Sequence, residues 1–433
     1  MKFPSEDELR SKLLSKAADK FIITFLRLCF QSSDPADLIQ QWHAADQKDV
    51  VNGIISNGLA GFFHHKLRTH PEWGLPAELE QGLKTAAQVI ALQNAVYERE
   101  GMKITAALEH HGIPYLILKG FSLTERLYDN SGIRPVSDLD IYISRSDYAR
   151  VGEILARSGY QAGMTADFRG SLEEYQAIAE AYCSEMQYAK TLGKMSINLD
   201  IHWGMDGLWE GSPLKALFPV EECPWMQYTR RVQMDDWAFN ALSWEMQFLQ
   251  IAGHFALHHQ YQGIKWFLDL CLLLDKVGAE LDWDFIYRMA GSADSRKTIA
   301  VILRLMADEL TLLPQGVPPW QTFWDGKGLP GEYSFYRRRL LSRASKKGQY
   351  LAYIMLPLKL RDKSRVLGYY LFNPGAVSHW RSEEPIPAWR WWQPFYILYR
   401  AGEEFIIQRR SGQDREIKGS SPQSYEDGRG PRQ

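Results

Sequence analysis

The sequence predicts an α+β protein in which a small mixed β-sheet is flanked by helical regions before and after it in the chain. Three observations predict this. Apolar residues recur at helical intervals before residue 111 and again after residue 235, while residues 113–205 mix strand-period runs with short helices. The chain has 433 residues, enough for about three domains and more than one core. Its 45% hydrophobic and 24% charged residues are ordinary for a globular chain.

Residues 1–111 form the first helical region. "ADLIQQWHAADQKDVVNGIISNGLAGFFHHKL" carries apolar residues at helical spacing, and Pro76 and the glycines mark breaks. A longer helix through "LKTAAQVIALQNAVYEREGMKITAALEHHG" stops at Gly112, a C-terminal cap. The sheet core spans 112–234. "IPYLILKG" is a strand-length apolar run closed by Gly120, "FSLTERLYD" a short helix and "VSDLDIYI" a second strand. "RSDYARVGEILARSGY" reads as a helix with Ser146 at its N-cap and Gly159 at its C-cap. "EMQYAKTLG" and "KMSINLDIHW" alternate as a hairpin turning at Gly193. From Asp235 to 330 the pattern is helical, through "DDWAFNALSWEMQFLQIAGHFALHHQ", "GIKWFLDLCLLLDKVG" and two further helices to about Leu313. Residues 331–410 are basic and aromatic, with helix expected over 333–357. Residues 411–433 are too polar to bury a core and are expected to be disordered.

The formal net charge is −2, so no overall basic field argues for nucleic acid. Cys29, Cys183, Cys223 and Cys271 lie far apart, which fits reduced thiols rather than a zinc ribbon or a disulfide framework. The N-terminal stretch is charged throughout, unlike a signal peptide, and no window approaches the ~18 apolar residues of a membrane span. These features predict a cytoplasmic protein.

The chemistry concentrates in "RPVSDLDIYI". Asp138 and Asp140 are two apart on a strand and share a face. At an effective dielectric of ~20, two such charges ~7 Å apart repel by about 2 kcal/mol. A divalent cation turns that repulsion into attraction, and Mg²⁺ favours one or two carboxylates plus substrate phosphates. Asp200 in "INLDIHW" joins the pair if its strand lies alongside. Three carboxylates around two metals ~3.5–4 Å apart would clamp the attacking and leaving oxygens of phosphoryl transfer. "LKG" ends a strand and opens a helix, where free N–H groups suit a phosphate. Gly120 allows close backbone approach there, with Lys119 and Ser122 as further donors.

These residues resemble the nucleotidyltransferase fold superfamily, and within it a bacterial group of uncharacterised nucleotidyltransferases. The matching pattern is Lys119-Gly120, Leu127-Tyr128, Arg134 before Asp138 and Asp140, Gly159-Tyr160, then Asp200 with His202-Trp203. It is densest over 113–203. The chain departs from the wider superfamily in having Gly120-Phe121-Ser122 where Gly-Gly or Gly-Ser is usual. The resemblance implies transfer of a nucleotidyl group from an NTP to an acceptor hydroxyl or phosphate. Asp138, Asp140 and Asp200 would hold Mg²⁺ or Mn²⁺, two ions in all. Asp200 would also take the acceptor's proton, and Lys119, Gly120, Arg134 and His202 would face phosphate charge. Arg134 has a second reading, as a salt bridge that orients the aspartates, and His202 as an orienting or structural histidine. Some relatives occur near lasso-peptide biosynthesis genes. A peptide- or protein-modifying role in natural-product tailoring is therefore one rival, and a non-catalytic nucleotide-binding scaffold is another. A toxin-like or tRNA-modifying enzyme would call for a stronger basic cleft.

Other signals carry less. His254 and His258 lie four apart with His259 adjacent, but no HExxH glutamate or third ligand accompanies them. Core packing with a hydrogen bond to Asp269 fits them better, away from the catalytic core. The basic run "YRRRLLSRASKKG" spreads over more than one helix face, as a solvated surface does. Trp389, Trp391 and Trp392 are expected to bury a C-terminal segment.

Overall fold

The computed structural model describes residues 16–372, apart from 32–33, 164–170, 205–211, 216–223, 313, 325–331, 342–352 and 354. The first helical region folds into α1 (Lys16–Phe30), α2 (Ala36–Ala44), α3 (Gln47–Ser56), α4 (Ala60–Thr69) and α5 (Ala77–His110). At 34 residues α5 is about 50 Å long. It ends as the sequence reads, with Gly112 at φ +66° behind it.

The chain then alternates through β1 (Tyr115–Ile117), α6 (Phe121–Leu127), β2 (Leu139–Ile143), α7 (Tyr148–Arg157), β3 (Gln161–Ala162) and α8 (Leu172–Tyr182). Strands β4 (Glu185–Leu192) and β5 (Met195–His202) form the expected hairpin, with Gly193 at φ +62° in the turn. Gly159 follows α7 at φ +85°, whereas the N-cap residue of α7 is Asp147, one beyond Ser146, with no side-chain cap bond.

One segment departs from the sequence reading. Residues 229–242 form a second hairpin, β6 (Thr229–Met234) and β7 (Trp237–Leu242), and the expected boundary at 234 falls at its turn. The stretch read as the start of a helix alternates instead, with Trp237, Phe239 and Ala241 buried. Only six residues long, it runs directly into a helix capped by Ser243, so the longer 3.6-residue period masks the shorter one. Trp237 fixes the strand to α5. A Cβ on Gly101 would lie 2.5 Å from its ring, and its Nε1 donates to Thr105 Oγ1 at 3.0 Å.

The remaining described helices are α9 (Trp244–Gly253), α10 (Ile264–Val277), α11 (Trp283–Ala290), α12 (Ala293–Leu310), α13 (Glu332–Leu341) and α14 (Leu360–Phe372). A π-helical turn, His254–His258, extends α9. Residues 373–433, with Trp389, Trp391, Trp392 and the expected disordered tail, lie outside the described residues. Of the basic run, residues 342–348 lie outside the described residues, and Arg337 and Arg338 are exposed as a solvated surface has them. Arg339 is buried and donates from Nε to the Gln260 carbonyl at 2.7 Å, and Arg337 pairs with Glu309. Among the described residues, no helix is long and apolar enough to cross a membrane.

The seven strands make one mixed sheet in the order β3-β4-β5-β2-β1-β7-β6. Strand alternation divides its two faces between two cores. Tyr115, Ile117, Leu139, Ile141, Ile197, Leu199 and Ile201 pack with Tyr97, Ile104 and Leu108 of α5. Leu116 and Leu118 turn the other way, into the core built by α9, α10 and α12 with the N-terminal helices. Asp140 and Asp200 alternate with the first set, and so face the helical array.

Candidate active site

The two central carboxylates are set side by side by the strand ladder. β2 pairs parallel with β5, and in that register Asp140 stands opposite Asp200 and Tyr142 opposite His202. Asp140, Asp200 and His202 each offer a ligand atom within 4.8 Å of the others. Asp138 stands outside this close group, although its charge acts on both Asp140 and Asp200. Of the expected acidic trio, Asp140 and Asp200 therefore lie together, and the third close member is His202 rather than Asp138.

Asp140 is the anchored carboxylate. It is 6% exposed, and its Oδ1 receives Lys119 Nζ at 3.1 Å and meets His202 Nε2 at 2.8 Å. Burial pushes its pKa up, but the Lys119 charge and the His202 hydrogen bond outweigh that and hold it below the ordinary range. Asp138 and Asp200 are half-buried, and the lysine charges and the Ser137 hydrogen bond that lower their pKa do not outweigh what raises it. Burial raises Asp138, and Asp140 beside it adds to the shift. Burial also raises Asp200 well above the usual carboxylate value, reinforced by Glu185, Asp140 and Asp138. Lys119 is buried too, and although burial lowers its pKa, Asp140, Asp138 and Glu185 raise it further.

Glu185 is the site residue that sequence motifs missed. The β4–β5 register sets it opposite His202, and its Oε2 lies 3.2 Å from His202 Nδ1. Counting back along the hairpin from Gly193 would have found it. His202 thus stands between Asp140, to which its Nε2 is hydrogen-bonded, and Glu185, whose carboxylate lies near its Nδ1 without a hydrogen bond, across three adjacent strands. The site holds four carboxylates against the buried Lys119, with Lys265 also acting on Asp138, an imbalance that hard divalent cations relieve, so the donor set fits such an ion.

The glycine turn sits at the end of β1, whose ladder continues in a bond from Leu118 N–H to the Asp140 carbonyl at 3.0 Å. Lys119 and Gly120 both adopt positive φ, +43° and +41°. Gly120, at ψ −113°, occupies a region that a Cβ excludes. Two expected phosphate contacts acquire other roles. Ser122 is fully buried, with its Oγ 2.8 Å from the Lys119 carbonyl and 2.9 Å from Gln247 Oε1, so it ties the turn to α9. Arg134 spends its guanidinium on Asp269, with Nε at 2.9 Å from Oδ1 and 3.1 Å from Oδ2, and Nη2 at 2.8 Å from Oδ2. Tyr128 donates to the same carboxylate at 2.6 Å. Arg134 therefore locks the segment leading to Asp138 onto α10 instead of pairing with the site's aspartates.

That occupancy also corrects the expected bond from His254 or His258 to Asp269. His254 Nε2 instead meets His259 Nε2 at 3.0 Å. Nor do these histidines lie away from the site, because His258 feels the charges of Glu185, Lys119, Asp140 and His202.

The fold and donor set belong together: a mixed sheet presents paired acidic strands beside a glycine turn, on the face turned towards the helical array. Residues 43–310, more than half of the chain, match the family described as uncharacterised nucleotidyltransferase, and the chain belongs to that family. No curated protein and no solved structure matches the chain.

Proposed function

We propose that the protein transfers a nucleotidyl group from an NTP to an acceptor hydroxyl or phosphate, with Mg²⁺ or Mn²⁺ as cofactor. The observation that carries this reading is the Asp140–Asp200 register on adjoining parallel strands, with Asp138 and Lys119 beside it. Family membership supports the same class of chemistry.

Asp138, Asp140 and Asp200 would hold the metal, two ions when fully occupied. Bound there, it would neutralise the triphosphate and its leaving group. The chain's own residues do the rest. Lys119 and His202 fix Asp140 in one orientation through two bonds to a single oxygen, which leaves its Oδ2 for binding. Glu185 sets a negative charge beside the far side of the His202 ring. Gly120 lets the backbone approach the phosphates, and Lys119 offsets their charge. The acceptor oxygen bonds to the α-phosphorus, the bond from that phosphorus to the bridging oxygen breaks, and pyrophosphate leaves. A hydroxyl acceptor gives its proton to Asp200.

Incubating the protein with each α-labelled NTP, Mg²⁺ or Mn²⁺ and cell extract tests the reading. Label is expected on a small molecule, a peptide or another acceptor, and labelling is expected to fall by at least about 100-fold in folded Asp138→Asn and Asp140→Asn variants. A wild type that binds no NTP in the presence of metal refutes it.

A further inference from the structure

The π-helical turn supplies a feature that the carboxylate chemistry does not use. His259 N–H bonds to the His254 carbonyl at 3.1 Å, the five-residue spacing of a π-turn. Such turns are rare and concentrate at functional sites. Gln260 and Tyr261 follow at φ +47° and +62°, a left-handed pair that side chains disfavour by ~1–2 kcal/mol each. Distant parts of the chain hold them there: Arg339 Nε donates to the Gln260 carbonyl, and Gln260 Nε2 donates to Tyr353 Oη at 2.6 Å. Strain braced this way points to a site.

The braced turn builds a ring stack. His254 is buried and lies parallel to His258, with centroids 4.8 Å apart and planes at 14°. Trp266 meets His254 edge-on at 4.8 Å, and His259 stacks on Trp266 at 4.9 Å. His258 is the solvent-exposed member of the group, with one face covered by His254.

Two structural paths connect this stack to the site. On α9, Gln247 contacts Ser122 of the glycine turn and Gln250, and His254 continues the same helix face. On α10, Trp266 lies 5.2 Å from the guanidinium of Arg134, four residues before Asp138. The carboxylates also face this helical array, and site residues from three strands and the glycine turn act on His258. Burial lowers the pKa of His254, and Lys119 with the neighbouring histidines lowers it further. An exposed imidazole backed on one face by a parallel ring is a good partner for a flat aromatic group.

We propose that His258 is the stacking surface for the nucleobase of the bound NTP, at the open end of the His254 stack. This inference rests on the nucleotide reading of the site and specifies where the base lies.

Calorimetric titration of the full chain with Mg²⁺ and ATP, GTP, CTP or UTP tests it, with inorganic tripolyphosphate as a ligand lacking the base. His258→Ala is expected to lose about tenfold or more in affinity for at least one NTP while binding tripolyphosphate as the wild type does. His258→Phe, which keeps a ring, is expected to stay within about threefold of wild type. Equal losses for NTP and tripolyphosphate would make His258 a phosphate contact and overturn the proposal, as would an unchanged NTP affinity in His258→Ala. A wild type that binds tripolyphosphate as tightly as every NTP also overturns it. If the wild type binds none of these ligands, the nucleotide reading itself falls.

Discussion

Neutralising Asp269 should cost this protein a large part of its stability. Its carboxylate is fully buried and meets a guanidinium that is 3% exposed, through three contacts of 2.8–3.1 Å. With charge centres ~4 Å apart and an effective dielectric of ~20, the attraction is about 4 kcal/mol. Asp269→Asn keeps the shape, removes that attraction and leaves a buried Arg⁺ uncompensated, so a loss of about 3–5 kcal/mol is expected. Removing both charges is a different case. Arg134→Met with Asp269→Leu should recover all but about 1–2 kcal/mol, the remainder being the Tyr128 hydroxyl left without its acceptor. Urea unfolding followed by tryptophan fluorescence measures both variants. A single-variant loss below about 1 kcal/mol, or a double variant as unstable as the single, would refute the claim that this ion pair locks the Asp138 segment to α10.

Two other effects follow from charge. In chelator, Asp200→Asn should melt above the wild type, because it removes a half-buried carboxylate crowded by Glu185, Asp140 and Asp138. With Mn²⁺ at 100 times its dissociation constant the order should reverse, since binding adds about 2.7 kcal/mol to the wild type alone; a thermal melt in both buffers decides it. Glu100 is buried among Lys103, Lys190 and Tyr160, and although burial raises its pKa, their hydrogen bonds bring it down to about 2. A carboxylate depressed on folding stabilises above its ordinary value near 4.5 and loses that effect as pH falls towards 2. Glu100→Gln should therefore cost about 2 kcal/mol at pH 7, with the gap to wild type closing between pH 4.5 and 2 in acid unfolding curves.

Local chemistry made much of this legible beforehand. The alternation around Gly193 marks a hairpin, and Asp138, Asp140 and Asp200 stand out because charges at strand period among isoleucines are costly without a partner. Several residues of the recognised pattern prove to be structural. Tyr128 binds Asp269, Tyr160 binds Glu100, and Trp203 donates to the Cys183 carbonyl at 3.0 Å. What escaped depends on tertiary placement. The alternation of β7 is too short to compete with the helix it enters. The role of Glu185 exists only across the β4–β5 register, and His258 approaches the carboxylates only once α9 packs over the sheet. Lys119 reads from sequence as a donor to phosphate and becomes a buried counter-ion of Asp140, in a turn where its own backbone has positive φ.

The spacing of Asp140 and Asp200 is inherited from the ~4.8 Å repeat between hydrogen-bonded strands, a dimension that backbone geometry sets and side chains hardly alter. Segments bordering the sheet are free to lengthen, shorten or change composition without disturbing that interval. On the transferase reading proposed above, a lineage built on such a frame could exchange one recipient molecule for another through its periphery while the interval between the paired carboxylates passed on unchanged.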